Sequence, residues 1–99
     1  MKGRSVSEAE KGYHDKLARV IGCIACRKDG RFNDEVSIHH CEGRTRPGCH
    51  RRVLPLCFYH HMPNGEGVES VHGNKYRFEQ KYGTQRELMD ECNRILDRG

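Results

Sequence analysis

Two short segments, Cys23-Ile24-Ala25-Cys26 and Cys57-Phe58-Tyr59-His60, each carry two metal-ligating side chains separated by two residues. Two intervening residues let a tight turn point both side chains at one ion, and two such turns complete a tetrahedron. Four protein ligands leave no open position, so this site is predicted to be structural. Cys41 and Cys49 have no partner at this spacing and are interpreted as free thiols.

The composition indicates that the chain needs such a site in order to fold. Its 99 residues are predicted to form one domain spanning residues 1–99, and 32% of them are charged. A chain this short and polar buries little apolar surface and usually depends on bound metal or disulfides. Six cysteines and seven histidines supply the ligands.

Disulfides are the alternative, because an even number of cysteines in a short chain also fits a secreted scaffold. However, residues 1–7 are charged and polar, unlike the apolar centre of a signal peptide. No stretch reaches the apolar length of a membrane span. We therefore expect Zn²⁺ in a cytoplasmic protein that has no contact with a membrane.

Turn and capping signals predict helices at both ends of the chain. Ser7 and Glu10 form a capping box ahead of a helix over residues 8–21, and Gly22 ends it. A second capping box, Thr84 to Glu87, precedes a last helix. That helix is predicted to bury Leu88, Cys92, Ile95 and Leu96.

The segment between the two half-sites is predicted to be a β-hairpin. Val36–His40 reads as the first strand and Val53–Leu56 as its return, with Pro55 ending the ladder or lying on an edge. A short helix is expected after Cys57, and residues 68–72 are predicted to be briefly extended. The fold is therefore a small α+β domain.

A second set of imidazoles lies on this hairpin and beyond it. Adjacent strand residues face opposite ways, so His39 and His40 cannot easily bind one ion together. One can bind the ion while the other reaches a water molecule, and His61, one residue after His60, can face the hairpin. An ion with an open position beside a neutral imidazole suits phosphate hydrolysis. Structural histidines or a second closed zinc site are the alternatives.

The net charge of +4 is concentrated in a loop. Arginines with glycines and a proline in a loop suit phosphate contacts, although a solvated basic loop is the simpler interpretation. The predicted DNA-binding residues are Arg44, Arg46, His50, Arg51 and Arg52.

At these residues the chain resembles the HNH endonucleases, also called ββα-metal or His-Me finger enzymes, that carry a structural zinc. The resemblance implies a hairpin and a helix that hold one divalent ion, flanked by N- and C-terminal helices. It also implies that His39 and His61 are ligands and that His40 is the general base. The middle asparagine of the HNH motif is not evident, and His50 or Arg52 lies near its place.

A narrower resemblance, to the phage recombination-enhancement (Ref) nucleases, covers nearly the whole chain. Those enzymes cut DNA in dependence on RecA filaments. The matching segments are Gly22-Cys23-Ile24-Ala25-Cys26, Ile38-His39-His40, Leu54-Pro55-Leu56-Cys57, His60-His61, Gly67-Val68 with His72-Gly73, and Tyr82-Gly83. This resemblance implies a phage or prophage origin, a bacterial host cell and host RecA as a partner. It also places His72 near the metal as a further ligand, and whether His72 or His50 completes the site stays open.

The sequence thus predicts an HNH-type DNA endonuclease that hydrolyses phosphodiester bonds. Structural Zn²⁺ would be held by Cys23, Cys26, Cys57 and His60, and a second divalent ion, Mg²⁺, Mn²⁺ or Zn²⁺, would serve catalysis. The competing hypothesis is a non-catalytic zinc module that binds nucleic acid or a partner protein. It predicts the same fold and the same structural zinc.

Overall fold

The computed structural model describes residues 5–43 and 45–98. In the described part of the chain, a two-stranded antiparallel hairpin is flanked on both sides in sequence by helices. This arrangement confirms the predicted small α+β class.

The first helix, α1 (Glu8–Lys16), begins at the predicted capping box. Ser7 Oγ accepts a bond from Glu10 N at 3.1 Å, and Glu10 Oε1 accepts one from Ser7 N at 2.9 Å. The helix continues as a π-helical turn, Leu17–Ile21, closed by a 3.0 Å bond from Gly22 N to Leu17 O. The predicted extent is correct, but its last five residues are π-helical rather than α-helical.

Gly22 allows the chain to turn directly into the first cysteine pair. Its φ of +68° is in the left-handed region that favours glycine, and an added Cβ would lie 2.6 Å from Asn33 O. The next residue, Cys23, donates its N–H to the same Asn33 oxygen at 2.7 Å. A side chain at position 22 would therefore displace the start of α2 (Ile24–Lys28).

The hairpin pairs β1 (Val36–His40) with β2 (Val53–Cys57), in a register that sets His39 opposite Leu54. Pro55 pairs with Ile38 at the centre of the ladder, so the expectation that it ends the ladder is wrong. The edge alternative fits, because a strand of a two-stranded sheet has one unpaired side on which a proline costs no ladder bond.

Three helices follow β2. The single turn α3 (Phe58–His61) follows Cys57 directly. The next helix, α4 (Lys75–Tyr82), is capped by Asn74. The last helix, α5 (Gln85–Arg98), begins at the predicted Thr84–Glu87 capping box. Residues 68–72, predicted to be briefly extended, have no regular secondary structure as far as Ser70 and enter a turn at Val71. In that turn Val71 N donates to His60 O at 2.9 Å and His72 N to His61 O at 3.2 Å, so these two N–H groups cap the end of α3.

One small core joins these elements. The π-helical turn and α5 both pack against β2, and Phe78 from α4 is fully buried beside them. The core is continuous with the cysteine half-sites, and its largest apolar members are Leu17, Ile21, Ile24, Leu54, Leu56, Phe78 and Leu88. Of the last helix, Leu88 and Cys92 are buried as predicted, whereas Ile95 and Leu96 are only partly covered. None of the helices described in residues 5–43 and 45–98 has the length and apolar character needed to cross a membrane.

Candidate metal centres

The two predicted half-sites meet in one buried group, the cysteine cluster, which consists of Cys23, Cys26, Cys57 and His60. Cys26 Sγ lies 3.8 Å from Cys57 Sγ. His60 Nδ1 lies 3.4, 3.6 and 3.2 Å from the sulfur atoms of Cys23, Cys26 and Cys57. Bonds of about 2.3 Å from zinc to sulfur and about 2.0 Å to nitrogen give tetrahedral edges of roughly 3.8 Å and 3.5 Å. The cluster therefore fits a closed zinc site.

Two helix starts bring the four ligand atoms together. Cys23 is the N-cap of α2, and its Sγ accepts a bond from Cys26 N at 3.4 Å, which folds the first pair into a knuckle. Cys57 ends β2 and is the N-cap of α3, whose single turn carries His60. The sequence spacing is thus realised as two knuckles that face each other across the end of the hairpin.

The other nitrogen of His60 is held by a chain of two hydrogen bonds that leads from the buried imidazole to the half-buried carboxylate of Asp29. His60 Nε2 lies 3.0 Å from Tyr82 Oη, and Tyr82 in turn donates its hydroxyl proton to Asp29 Oδ2 at 2.8 Å. Because that proton is given to Asp29, the phenol oxygen accepts from His60 Nε2–H, and the lone pair of His60 is on Nδ1, among the sulfur atoms. Sequence reasoning missed this arrangement, which is typical of metal-ligating histidines.

The environment disfavours charge on the cluster when no cation is present. Burial raises the pKa of the Cys23 thiol to about 12 and also raises the pKa of Cys26. Burial lowers the pKa of His60 against the opposing effect of Asp29. Metal binding would therefore displace thiol protons and make three buried thiolates stable.

The cysteines are not joined in the way that the disulfide alternative requires. All six cysteines lie in the described residues and are free thiols. The 3.8 Å contact between Cys26 and Cys57 is far longer than a disulfide bond of about 2.05 Å. Cys41 and Cys49 lie outside the cluster, as predicted.

A second group, the histidine cluster, consists of His39, His61 and His72. One ligand nitrogen from each imidazole lies within 4.8 Å of the others, and the ring centroids are 4.9 to 5.2 Å apart. Small side-chain rotations bring such nitrogens to the roughly 3.4 Å edges of a tetrahedral site. His39 is buried, His61 half-buried and His72 exposed, so the cluster is open on one side. Three protein ligands and an open side are typical of a catalytic metal site.

Two polar side chains that the sequence analysis missed orient these imidazoles. Ser37 Oγ lies 2.6 Å from His61 Nδ1 and 3.4 Å from Leu56 O, so the short hydroxyl contact holds the His61 ring through Nδ1. Gln85 Oε1 accepts from His39 Nε2–H at 2.9 Å. The lone pair of His39 is then on Nδ1, which faces the other two imidazoles as ligation requires, and Nε2 of His61 is the nitrogen that Ser37 leaves available. Burial also lowers the pKa of His39, which favours the neutral ligand form.

The third member, His72, is fixed by the end of α3. His72 N donates to His61 O at 3.2 Å, next to the bond from Val71 N to His60 O. The preceding loop is organised by Asn64, whose side chain makes five hydrogen bonds to the backbone of four residues: Tyr59, Met62, Glu66 and Val68. These bonds place His72 beside His61.

His40 lies on the opposite face of β1 from His39, as strand alternation predicts. Its Nε2 lies 2.9 Å from His50 Nδ1. Both His40 and the histidine cluster nevertheless line one cleft of about 540 Å³. The remaining lining residues are Ile38, Gly43, Met62 and Pro63. One cavity therefore offers a group of possible metal ligands and a further imidazole.

A sequence model of the family described as recombination enhancement, RecA-dependent nuclease matches residues 7–97. The match includes every member of both clusters. The chain belongs to this family. The family's name indicates a RecA-dependent nuclease role in recombination, and thereby DNA and RecA as the partners.

In the basic loop of this family member, some arginine side chains are exposed, whereas another is bonded within the loop. Arg46 is exposed, 3.9 Å from the Glu42 carboxylate. Arg52 donates Nε to Glu42 Oε1 at 2.9 Å and Nη2 to Pro47 O at 2.8 Å, so it ties the loop together. Arg51 is exposed and lies 5.4 Å from the ring centroid of Tyr13. The predicted contact at Arg44 lies outside the described residues.

The structure corrects the interpretation of His50 as a DNA contact. Only 3% of its surface is exposed, because the turn that carries it faces inward, and its ring packs against His40. His14, interpreted from the sequence as a surface or boundary residue, is half-buried, and its Nε2 donates to His50 O at 2.7 Å.

Proposed function

We propose that the chain is a metal-dependent DNA endonuclease of the HNH type, which hydrolyses phosphodiester bonds and acts with RecA filaments in recombination. The observation that carries the proposal is the convergence of His39, His61 and His72 on one open cleft that His40 also lines. The family match supports the nuclease activity and the link to RecA.

The two clusters would have different tasks. The closed cysteine cluster would hold Zn²⁺ and keep α3 against the hairpin, since thiolates and one imidazole are typical zinc ligands. The open histidine cluster would hold Mg²⁺, Mn²⁺ or Zn²⁺. When bound there, such an ion polarises a phosphate oxygen and stabilises the charge that develops on the phosphoryl group.

His40 would be the general base. A water molecule attacks the phosphorus, His40 takes the proton that the water loses, and the bond from phosphorus to the 3′ oxygen breaks. The departing oxygen takes a proton from solvent, so the products are a 5′ phosphate and a 3′ hydroxyl, as the HNH resemblance implies. A neutral imidazole suits this task because its ordinary pKa lies near neutrality.

The exposed arginines would bind the DNA backbone. Arg46 and Arg51 are the described candidates, and Arg52 would act through the shape of the loop that it ties to Glu42. Phosphate contacts carry no sequence information, so weak sequence preference and strong salt dependence are expected. We place this activity in the cytoplasm of a bacterial host, for a gene of phage or prophage origin.

A nicking assay with His40→Ala tests the proposal. Supercoiled and single-stranded DNA are incubated with the wild type and the variant in Mg²⁺ or Mn²⁺, with and without RecA filaments. General base catalysis contributes about 10²- to 10⁴-fold, so we expect a rate loss of that order with the zinc content unchanged. Tyr76→Ala, an exposed aromatic on α4 outside the cleft, serves as the control and should keep the wild-type rate.

The outcome also distinguishes the two functions that the sequence predicts, the endonuclease and the non-catalytic zinc module. Nicking by His40→Ala at the wild-type rate would remove the enzyme assignment of this cleft and favour the non-catalytic zinc module. Loss of nicking together with loss of zinc would mean that the variant is misfolded. In that case His40→Gln, which keeps a polar side chain of similar length, repeats the test.

A further inference from the structure

The solvent-facing side of α3 carries exposed aromatic residues. The inner side of this turn carries His60 and His61, whereas Phe58 and Tyr59 are 59% and 47% exposed, with ring centroids 5.5 Å apart. Phe32, also 59% exposed, lines the same cavity as Tyr59, of about 300 Å³. We call Phe32, Phe58 and Tyr59 the aromatic patch.

The aromatic patch concentrates apolar surface beside the cleft of the histidine cluster. Six large hydrophobic side chains are exposed within the described residues, and the patch together with Met62 makes up four of them. Met62 N donates to Phe58 O at 2.8 Å, one helical turn away, and Met62 lines the cleft. Single exposed hydrophobic residues are ordinary, but a contiguous group is typical of a binding surface. The patch therefore continues the surface of the cleft.

The charge around α3 suits a polyanion. Neither of the two cavities that border α3 has an acidic residue among its described lining. Arg31 lines the cavity beside the patch, and its side chain is 67% exposed although it lies 3.8 Å from the Asp29 carboxylate. By contrast, a cavity of about 420 Å³ beside α5 is lined by three carboxylates and two cations: Glu87, Asp90, Glu91, Lys28 and Arg94. Phosphate groups therefore fit beside α3 better than beside α5.

We propose that the aromatic patch binds unpaired bases of the DNA strand whose phosphate lies in the cleft. This role rests on the proposed function, because the cleft is what brings DNA to α3. Every base has a π face that stacks on an aromatic ring, whereas the bases of a duplex are already stacked on one another. The substrate class is thus DNA that is single-stranded next to the cleavage site.

The dimensions of α3 agree with this role. A helix with its side chains is about 10 to 12 Å across, a distance that roughly three stacked nucleotides cover at about 3.4 Å each. A strand that leaves the cleft past Met62 therefore reaches the patch within a few nucleotides. Arg31 lies beside the patch as a contact for the backbone of the same strand.

DNA binding without cleavage tests this role. Labelled oligothymidylate and a duplex of the same length are titrated without added divalent ions, and fluorescence anisotropy reports the affinity. Tyr59→Leu removes one ring, so we expect its affinity for oligothymidylate to fall roughly 5- to 150-fold, with duplex binding unchanged. Tyr59→Phe keeps the ring and should bind as the wild type does. Tyr76→Leu, which removes an exposed ring on α4 outside both cavities, is the matched control.

Salt dependence separates stacking from charge. Tyr59→Leu should lower the affinity for oligothymidylate without changing the slope of log K against log salt, because it removes no cation. Arg31→Ala should shrink that slope by about 0.7, the value for one phosphate contact on a single strand. A reduced slope in Tyr59→Leu would contradict stacking as the origin of its loss.

The remaining outcomes are distinct. Equal losses for Tyr59→Leu and Tyr76→Leu, or equal losses on oligothymidylate and duplex, would overturn the role of the patch. Normal oligothymidylate binding by Tyr59→Leu together with lost stimulation by RecA filaments would also overturn it, in favour of a protein contact. If His40→Ala nicks DNA normally, the proposed function fails, whereas an inactive His40→Ala with normal oligothymidylate binding by Tyr59→Leu removes only the patch.

A photocrosslinking measurement on the wild type needs no variant to fold. Oligothymidylate that carries 5-iodouracil is irradiated on the zinc-loaded protein, and the crosslinked peptides are sequenced. We expect crosslinks at Phe32, Phe58 or Tyr59, because the patch would stack on the modified bases. Crosslinks confined to other residues would overturn the role of the patch.

Discussion

Replacing Tyr82 with phenylalanine would remove one oxygen atom from the chain of bonds behind the cysteine cluster. In the wild type that oxygen lies 3.0 Å from His60 Nε2 and donates to Asp29 Oδ2 at 2.8 Å. The ring itself is buried and packs against Phe78, so Tyr82→Phe keeps the apolar contacts. His60 Nε2–H would then face Asp29 Oδ2 at 3.9 Å, too far for a hydrogen bond without movement.

The expected loss follows from these distances. Removing an outer-shell partner of a metal-ligating histidine typically weakens metal binding by about 10- to 100-fold, or roughly 1.4 to 2.7 kcal/mol. An unsatisfied buried donor costs about 1 to 3 kcal/mol, which is the same range. Structural zinc sites in small domains contribute about 10 to 16 kcal/mol. Tyr82→Phe should therefore fold with zinc bound and differ only in how readily a chelator removes it.

A chelator competition at constant pH measures the zinc affinity, and thermal unfolding in excess zinc checks the fold. Tyr13→Phe is the matched control, because it also removes one phenol oxygen, but that oxygen donates to Asn93 at 3.1 Å on the exposed side of α5. We expect the affinity to fall in Tyr82→Phe and to stay unchanged in Tyr13→Phe. Equal affinities for Tyr82→Phe and the wild type would refute the assigned role of the phenol.

Three other features of the structure give further tests. Gln85→Ala removes the acceptor of His39 Nε2–H, so the Mn²⁺ affinity of the histidine cluster should fall about 10- to 100-fold while zinc is retained. Calorimetry measures the affinity, and Gln80→Ala, which changes an exposed glutamine on α4, is the control. Burial raises the pKa of Cys92 from 9.0 to about 12, because the folded protein favours the neutral thiol. The contribution of this thiol to the free energy of unfolding is therefore present below pH 9 and is lost as the pH rises from 9 toward 12. Urea unfolding should then show a steeper decline in the wild type than in Cys92→Val, and parallel profiles would contradict the shift. Arg46→Ala removes one exposed cation, so the slope of log K for DNA against log salt should shrink by about 0.9, and an unchanged slope would remove Arg46 from the interface.

Features that depend on short sequence spacings could be predicted from the sequence. The capping boxes at Ser7 and Thr84, the two knuckles and the hairpin all involve residues whose chemistry and separation fix the local geometry. The opposite orientation of His39 and His40 follows from strand alternation in the same way. The approach of His61 to His39 follows once α3 starts at Cys57.

Features that depend on tertiary contacts could not be predicted. Gln85 reaches His39 from a helix 46 positions along the chain, and Asp29 reaches Tyr82 across 53 positions. The burial of His50 has the same origin, since it depends on α1 packing against the turn that carries it. Ser37 is different, because it lies two residues before His39 on the same strand face, and that spacing was a signal for a residue near the cluster.

The two metal centres share α3, where His60 serves one cluster and His61 the other. Each residue of a helix is rotated by about 100° from the one before it. Inserting or deleting one residue between Cys57 and His61 would therefore swing at least one imidazole out of its centre. Substitutions can change either centre during evolution, but the number of residues between Cys57 and His61 must stay constant. Gaps in an alignment of relatives should therefore fall outside this segment.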